Sequence, residues 1–514
     1  MLPLAVWDHI LNRAPQSVAL KIAAFRRLNP ELLESIGRRK ALALFHKASR
    51  LVPAYRDFLA ANGVDPRKVR TFGDFEEMVP FTSKENYVKK YPLAARCVLG
   101  RLPGKGTMDE SAGTCASPTN WVHSIDEEDF YFGVNRLSIP YLFSLHRGSK
   151  SAVFINGYAM GAWAGGQKFS SRMSALGLVV NTGPEAGKII SIIREAGPGF
   201  RYIVSGYPPF LRELADELAA FFTAGESGYQ IDLLTGGEGF AEEWRDYMRG
   251  RLGKGARIFS IYGASDLDVG IAMETPVTIC LRKMLNARSP WREALFATDR
   301  LPCFLGQYSP ANFLVGRRSN SDGRYELEVT VLNLRSASPK IRYNIEDEGG
   351  VIPFSVLKDF LAAQDCPLRG LVTEKADPPV APLAFLFLFG RTDGTIFFDG
   401  TMISPLDVEA LLFRDPELSR RLHSFKMAVE MDANYSQSLV LHFEMAEGAS
   451  PDEALRLRAE KAFIAGIKES NCCFRMAYER NPERLTPRIL FHGFGSGMFA
   501  AGRLSGKQQR IVRA

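Results

Sequence analysis

Cysteine is scarce and unpaired in this sequence. Its seven cysteines are odd in number and include no CxxC pair, which argues against a disulfide framework and against a structural zinc site. Adjacent Cys472 and Cys473 read most simply as buried thiols. Charge of one sign is not gathered anywhere: 64 Lys and Arg stand against 57 Asp and Glu, a net +7 spread along the chain. Dedicated nucleic-acid binding is therefore not indicated, although a small polyanion such as a nucleotide suits the balance. No apolar run is long enough to span a bilayer. The longest, VAPLAFLFLFG from Val380 to Gly390, reads as a buried strand. The opening MLPLAVWDHILNR has no basic start and is interrupted by Asp8 and His9, so no secretory signal is expected and a cytoplasmic protein is predicted.

At 514 residues and 46% hydrophobic, the chain exceeds what one core organises, and a large domain plus a smaller one is expected. Residues before about 75 form a helical lead-in, with Leu42, Leu44 and Phe45 recurring on one side of RRKALALFHKASRLV. From Ser151 to Gly270 short apolar runs (SAVFING, YIVSG, IDLLTGGEG, RIFSIYGASD) alternate with amphipathic helices. The fold class predicted is α/β: a mainly parallel sheet with its site at the carboxyl ends of the strands, followed by a small α+β domain. Residues 277–320 break the alternation and are treated as an insertion or lid-like segment. YELEVTVLN, Tyr325 to Asn333, reads as a half-exposed antiparallel strand. The boundaries drawn are 1–390 for the large domain and 391–514 for the small one. In the latter, FKMAVEM and LVLHFEM form a hairpin, Ser450, Pro451 and Glu453 start a helix through about Ile467, and a strand is expected near Phe474 to Tyr478.

Five segments carry chemistry. ESAGTCASPTNW, Glu110 to Trp121, crowds hydroxyls and free backbone N–H groups, the makings of a phosphate nest or of an ordinary Ser/Thr/Gly loop. In LLTGGEGF, Gly236 and Gly237 let backbone approach a flat ring, and in IYGASDLDVG Tyr262 can cover that ring's face. Asp266 in the same segment offers a hard oxygen to Mg²⁺. Asp347, within SPKIRYNIEDEGG, can accept ribose hydroxyls or be solvated surface charge. GRTDGTIFFDGTMISPLDVEALL, from Gly390, reads as a hinge followed by a helix start.

In this order the segments resemble the adenylate-forming acyl-CoA synthetase superfamily, and within it the phenylacetate-CoA ligase branch. ESAGTCASPT is similar to the SSGTTGxPT phosphate loop, TGGE to the GGE that contacts adenine, and IYGASD to YGxSE. PKIRYNIED is similar to PxIRYxxxD, the hinge segment to GRxDDxIxxxGxxxxPxxIE, and INGYAMGAWAGG to NAYGYGLFTGG. LVPAYRDFLAANGVDPRKVRTFGDFEEMVPFTSKENY is similar to the opening of the same branch. Cys115 and Ala116 stand where the phosphate loop has Thr-Gly, Ser117 where it usually has Lys, and Asp266 where the metal-binding residue is Glu.

The resemblance implies a ligase that uses ATP, Mg²⁺ and coenzyme A to turn a small carboxylic acid, aryl or arylacetic, into an acyl-adenylate and then a thioester. It assigns Ser111, Gly113, Thr114, Ser117 and Thr119 to the phosphates, with Gly236, Gly237, Glu238, Tyr262, Gly263, Ser265, Asp347 and Arg391 around the nucleotide. Asp266 is assigned to the metal, Tyr158, Trp163 and Tyr207 to the acyl pocket, and Asp393 and Gly400 to the hinge and thiol step. Lys507, in the terminal AGRLSGKQQRIVRA, matches the catalytic lysine. Two other outcomes stay open from sequence: acyl transfer to an amine or carrier protein, and a degenerate member that binds without turnover.

Overall fold

The computed structural model describes residues 27–499, apart from 112–118, 148–149, 162–163, 224–227, 241, 268–269, 299, 321–323, 372–379, 392–394, 404 and 433. The chain divides into two compact units. The first takes in most of the chain to Gly390, and the second comprises residues 112–119, 207–213 and 391–514.

The first unit opens with three helices, α1 (Pro30–Leu51), α2 (Pro53–Ala61) and α3 (Phe72–Met78). Asn29 caps α1 with its side chain, and a Thr71–Asp74 capping box starts α3. Their buried faces, with Leu44, Phe45, Phe58 and Phe75, join one core with Val329, Ile341 and Tyr343. A hairpin of β1 (Gly106–Ser111) and β2 (Thr119–Ser124) leads into α4 (Ile125–Leu142). The alternating stretch then gives β3 (Ala152–Asn156), α5 (Ala164–Met173), β4 (Leu178–Asn181), α6 (Ala186–Ala196), β5 (Arg201–Gly206), α7 (Pro208–Thr223), β6 (Gln230–Gly236), α8 (Glu242–Leu252) and β7 (Ile258–Tyr262). Each neighbouring pair among β4, β3, β5, β6 and β7 is parallel, as crossover helices require.

Residues 277–320, which break the sequence alternation, are regular secondary structure. They form α9 (Pro276–Asn286), α10 (Ser289–Phe296), β9 (Phe304–Tyr308) and β10 (Phe313–Ser319), following the short β8 (Ala272–Met273). A Thr275–Thr278 capping box with Pro276 at the first turn starts α9. Val277, Leu281 and Leu285 pack on Phe385 and Phe387. Then follow β11 (Tyr325–Val331), β12 (Tyr343–Ile352), α11 (Phe354–Ala362) and β13 (Ala384–Arg391), completing an eleven-stranded sheet ordered β10-β11-β12-β13-β9-β8-β7-β6-β5-β3-β4. β11 is antiparallel to both neighbours but is not half-exposed: beyond Tyr325 every residue is buried.

In the second unit β14 (Ile396–Phe398) and β15 (Thr401–Ile403) form a tight hairpin before α12 (Pro405–Arg414) and α13 (Pro416–Arg421). β16 (Leu422–Met431) and β17 (Gln437–Met445) pair antiparallel, α14 (Glu453–Ser470), α15 (Cys472–Arg480) and α16 (Pro482–Leu485) follow, and β18 (Arg488–His492) lies parallel to β17. Two expectations need correction. The residue capping α14 is Asp452, whose side chain accepts from Leu455 N at 2.7 Å. Phe474 to Tyr478 is helix, not strand: Asn471 caps it, and Phe474 stacks on Tyr478 four residues on, with ring centres 5.9 Å apart.

Candidate active site

The geometry starts where β6 and β7 end. Gly236 is the register partner of Ile261, and a Cβ on Gly236 would lie 2.8 Å from the Ile261 carbonyl oxygen, so only glycine fits. Gly237 follows at φ +86°, a conformation that favours glycine. The two chain ends thus leave the sheet side by side, with Glu238 after one and Gly263 and the half-exposed Ser265 after the other.

Tyr262 closes β7. Its hydroxyl donates to Asp347 Oδ2 at 2.6 Å, and its ring tilts against Phe304 with centres 5.8 Å apart. Asp347 is half-buried on β12, one residue after Glu346, which has φ +62°. The residue predicted to cover a flat ring and the one predicted to hold a ribose are therefore hydrogen-bonded to each other.

Asp266 sits in the short turn Ser265–Leu267. Its Oδ2 accepts from the Tyr343 hydroxyl at 2.8 Å and lies 3.2 Å from Lys84 Nζ. Tyr343 is 1% exposed and packs edge-on against Trp121, the third residue of β2. Lys84 carried no role in the sequence reading. It arrives because Thr82 forms a bridge to Tyr343, donating to Arg342 O and accepting from Asn344 N. The turn from Lys84 is fixed by a reciprocal Ser83–Asn86 cap. The signal available was the similarity of FTSKENY to FTxKxDL; what hid Lys84 is that its carboxylate partner lies 182 residues away in sequence, from 84 to 266.

The phosphate-loop hairpin is rooted in buried charge. Lys168 Nζ on α5 lies 2.7 Å from Glu128, 3.5 Å from Asp109 and 3.2 Å from Thr107 Oγ1. His123 lies between Asp109 at 3.3 Å and Glu127 at 3.5 Å, and Glu127 also accepts from Ser124 N at 2.6 Å. β1 ends at Ser111 and β2 begins at Thr119; Gly113, Thr114, Cys115, Ala116 and Ser117 lie outside the described residues, as do Trp163, Asp393 and Lys507. Beneath β7, Arg245 is fully buried, bonded to Glu242 at 2.9 Å and to both oxygens of Glu274 at 2.8 Å. Glu274 in turn accepts from Ser260 N at 2.7 Å. Burial pushes the Glu274 carboxyl up, and the Arg245 charge opposes that shift.

Of the acyl-pocket residues, Tyr158 has its hydroxyl 3.4 Å from where a Gly236 Cβ would be, and its ring meets Phe169 on α5. Asn156, fully buried, holds the intervening loop by donating to Gly166 O at 2.8 Å. Tyr207 falls in the second unit, where its ring lies against Gly400. Gly400 has φ +75° in the β14–β15 turn, next to Asp399 at φ +47°. Burial pushes the Asp399 carboxyl up although Arg484 Nε lies 2.9 Å away. Arg391 ends β13. In the same unit the segment after β18 is clasped: Gly495 N donates to Glu444 at 2.8 Å and Lys426 Nζ to Met498 O at 2.6 Å.

Asp266 is the group that fits a divalent ion. Mg²⁺ is commonly held by one or two carboxylates plus substrate phosphates, and among the described residues no cluster of three or more His, Cys, Asp or Glu offers an all-protein cage.

No protein-family model matches the chain. A phenylacetate-coenzyme A ligase from Aromatoleum evansii is 24% identical over 443 residues, covering 84% of this chain and 87% of its own. A second, from Thermus thermophilus, is 25% identical over 403 residues, covering 76% and 78%. The chain is homologous to the phenylacetate-CoA ligases. A solved 2-hydroxyisobutyryl-CoA ligase, bound to 2-HIB-AMP and CoA in its thioesterification state, covers 95% of this chain and 90% of its own at a TM-score of 0.60 and 13% identity. The fold is thus shared with a solved structure at 13% identity. No helix among the described residues is long and apolar enough to cross a membrane.

Proposed function

We propose that this chain is an AMP-forming acyl-CoA ligase that activates an aryl or arylacetic acid. The observation that carries the reading is the bond of Tyr262, which closes β7, to Asp347 on β12, together with the pairing of Asp266, four residues after Tyr262, with Tyr343 and Lys84. It occurs in a chain homologous over most of its length to phenylacetate-CoA ligases.

A carboxylate is a poor electrophile, and joining it to AMP supplies a leaving group. In the first half-reaction a carboxylate oxygen of the acid attacks the α-phosphorus of ATP, the bond to the bridging oxygen breaks, and pyrophosphate leaves. Gly236 and Gly237 let the backbone meet adenine, Tyr262 covers the ring, and Asp347 accepts from the ribose hydroxyls. Asp266 would hold Mg²⁺, which supplies neutralisation of phosphate charge when bound. Lys84 adds a fixed positive charge on the same side, and Ser111 to Thr119 receive the β and γ phosphates. Lys507 bridges the acid's carboxylate and an α-phosphate oxygen as a point charge. In the second half-reaction the CoA sulfur attacks the acyl carbon, its proton leaves to solvent, and AMP departs with the electron pair of the broken C–O bond.

Residues 1–390 act as the adenylating domain and 391–514 as a mobile lid. Turning about Asp393 withdraws Lys507 and presents the Gly400 segment to the thiol. The test is incubation with ATP, Mg²⁺ and a panel of acids, with CoA or with amines. AMP and an acyl-CoA thioester are expected, whereas an amide with no thioester from any acid would contradict the reading.

A further inference from the structure

A cavity of about 110 Å³ lies between α4 and the sheet, lined by Gly133, Leu137 and Tyr141 from the helix and by Met273, Gln307 and Phe313 from beneath. Among the described residues no Asp, Glu, Lys, Arg or His lines it. The lining also holds the polar side chains of Asn312, Ser309, Thr275 and Ser138, and Gln307 on the floor has its polarity already spent. Its amide donates to Ala381 O at 3.1 Å and Leu383 O at 3.3 Å, and its oxygen accepts from Thr275 at 3.0 Å. The remaining surface rewards apolar contact and would strip water from any charge without compensation.

Sheet register connects this cavity to the acyl end of the candidate site. Gly236 pairs with Ile261, Ile261 with Met273, and Met273 with Gln307. Register partners on adjacent strands share a face, and Ile261 and Met273 pack in the same apolar cluster as Leu142 of α4 and Phe169 of α5. Tyr158 stands over Gly236 at the start of this row. At roughly 4.8 Å per strand, Met273 lies about 10 Å from Gly236. Ile261, between them, is only half-buried, and Gly270 at the cavity edge is half-exposed at φ +94°.

We infer that the cavity under α4 receives the far end of the acid, and that the substrate class is an acid whose uncharged, apolar tail extends well past an arylacetate: an ω-aryl alkanoate or a medium-chain fatty acid. This rests on the ligase reading given above, and in place of the aryl or arylacetic acid named there it sets a longer acid, with Ser138, Leu137 and Met273 setting tail length. Filling or widening a hydrophobic pocket by one side chain changes discrimination by roughly 10- to 200-fold.

The test is acid-dependent ATP–pyrophosphate exchange with phenylacetate, 4-phenylbutyrate, 6-phenylhexanoate and decanoate. Ser138 lies on α4, where its hydroxyl donates to the Val134 carbonyl at 2.9 Å, and Ser138→Phe fills the cavity. The wild type is expected to use 6-phenylhexanoate or decanoate at least as well as phenylacetate. Ser138→Phe is expected to lower kcat/KM for the two longest acids at least tenfold and to leave phenylacetate within twofold. Leu137→Ala, which widens the cavity, is expected to raise decanoate several-fold and guards against a folding defect in the first variant. A wild type that uses phenylacetate but rejects the longer acids would overturn the inference and leave the ligase reading standing. So would a loss in Ser138→Phe that is equal for all four acids while Leu137→Ala changes nothing. Absence of exchange with every acid would instead contradict the ligase reading itself.

Discussion

Tyr262 and Asp347 hold each other through one hydrogen bond of 2.6 Å, so each can be tested against the other. Tyr262→Phe keeps the ring proposed to cover adenine and removes its hydroxyl from Asp347; Asp347→Asn keeps the shape and removes the charge that ribose hydroxyls prefer. We expect Asp347→Asn to raise KM for ATP about tenfold and Tyr262→Phe by less, in line with roughly 1.5–3 kcal/mol for a hydrogen bond to a charged group, read by steady-state kinetics at saturating acid. Lys84 is the residue the sequence did not offer. Removing its charge in Lys84→Met takes the cation from beside Asp266 and keeps the Tyr343 hydroxyl bonded to it. The expected result is a loss of about tenfold to a hundredfold in kcat/KM for ATP with an unchanged thermal midpoint. An unchanged kcat/KM would make the ion pair structural. Asp266 and Asp347 stood out in sequence as candidates, Asp266 in a segment directly after an apolar strand and Asp347 in an acidic cluster; Lys84 did not, because a bridge between Thr82 and Tyr343 brings it in from a segment distant in sequence.

At the scale of elements, β7 owes its position to charges hidden beneath it. Arg245→Met would remove the arginine bonded to both Glu274 and Glu242 and leave Arg282 beside them at 3.7 Å and 3.2 Å. Breaking such a buried pair costs about 3–5 kcal/mol, to be read in urea unfolding. In the second unit, burial lowers the pKa of His442 below the usual histidine value, and His492, 3.1 Å away, pushes the same way. The unfolded chain then takes up a proton near pH 6.5 that the folded chain does not. The His442 contribution therefore leaves stability flat above that pH and lowers it as pH falls below. His442→Gln should flatten the acid side of a melting-temperature profile between pH 7.5 and 5.5, and an unaltered slope would place the effect elsewhere. Elements whose apolar runs are continuous, such as β5, β6 and β13, could be read from sequence. β9 could not, because Gly306 interrupts FLGQY, and Phe474 to Tyr478 mimicked a strand until the Asn471 cap and the four-residue ring stacking made it helix.

Across the whole molecule, the functional proposal turns on the second unit, which contains residues 391–514. The proposed cycle needs Lys507 for adenylation and not for thioester formation, and this asymmetry is its central claim. The most direct measurement compares Lys507→Ala with the wild type in two assays: acid-dependent ATP–pyrophosphate exchange, and CoA thioester formation from chemically prepared acyl-adenylate. The account predicts that exchange falls at least about a hundredfold while transfer to CoA stays within a few-fold. Exchange that survives the substitution, or both activities falling together, would contradict it.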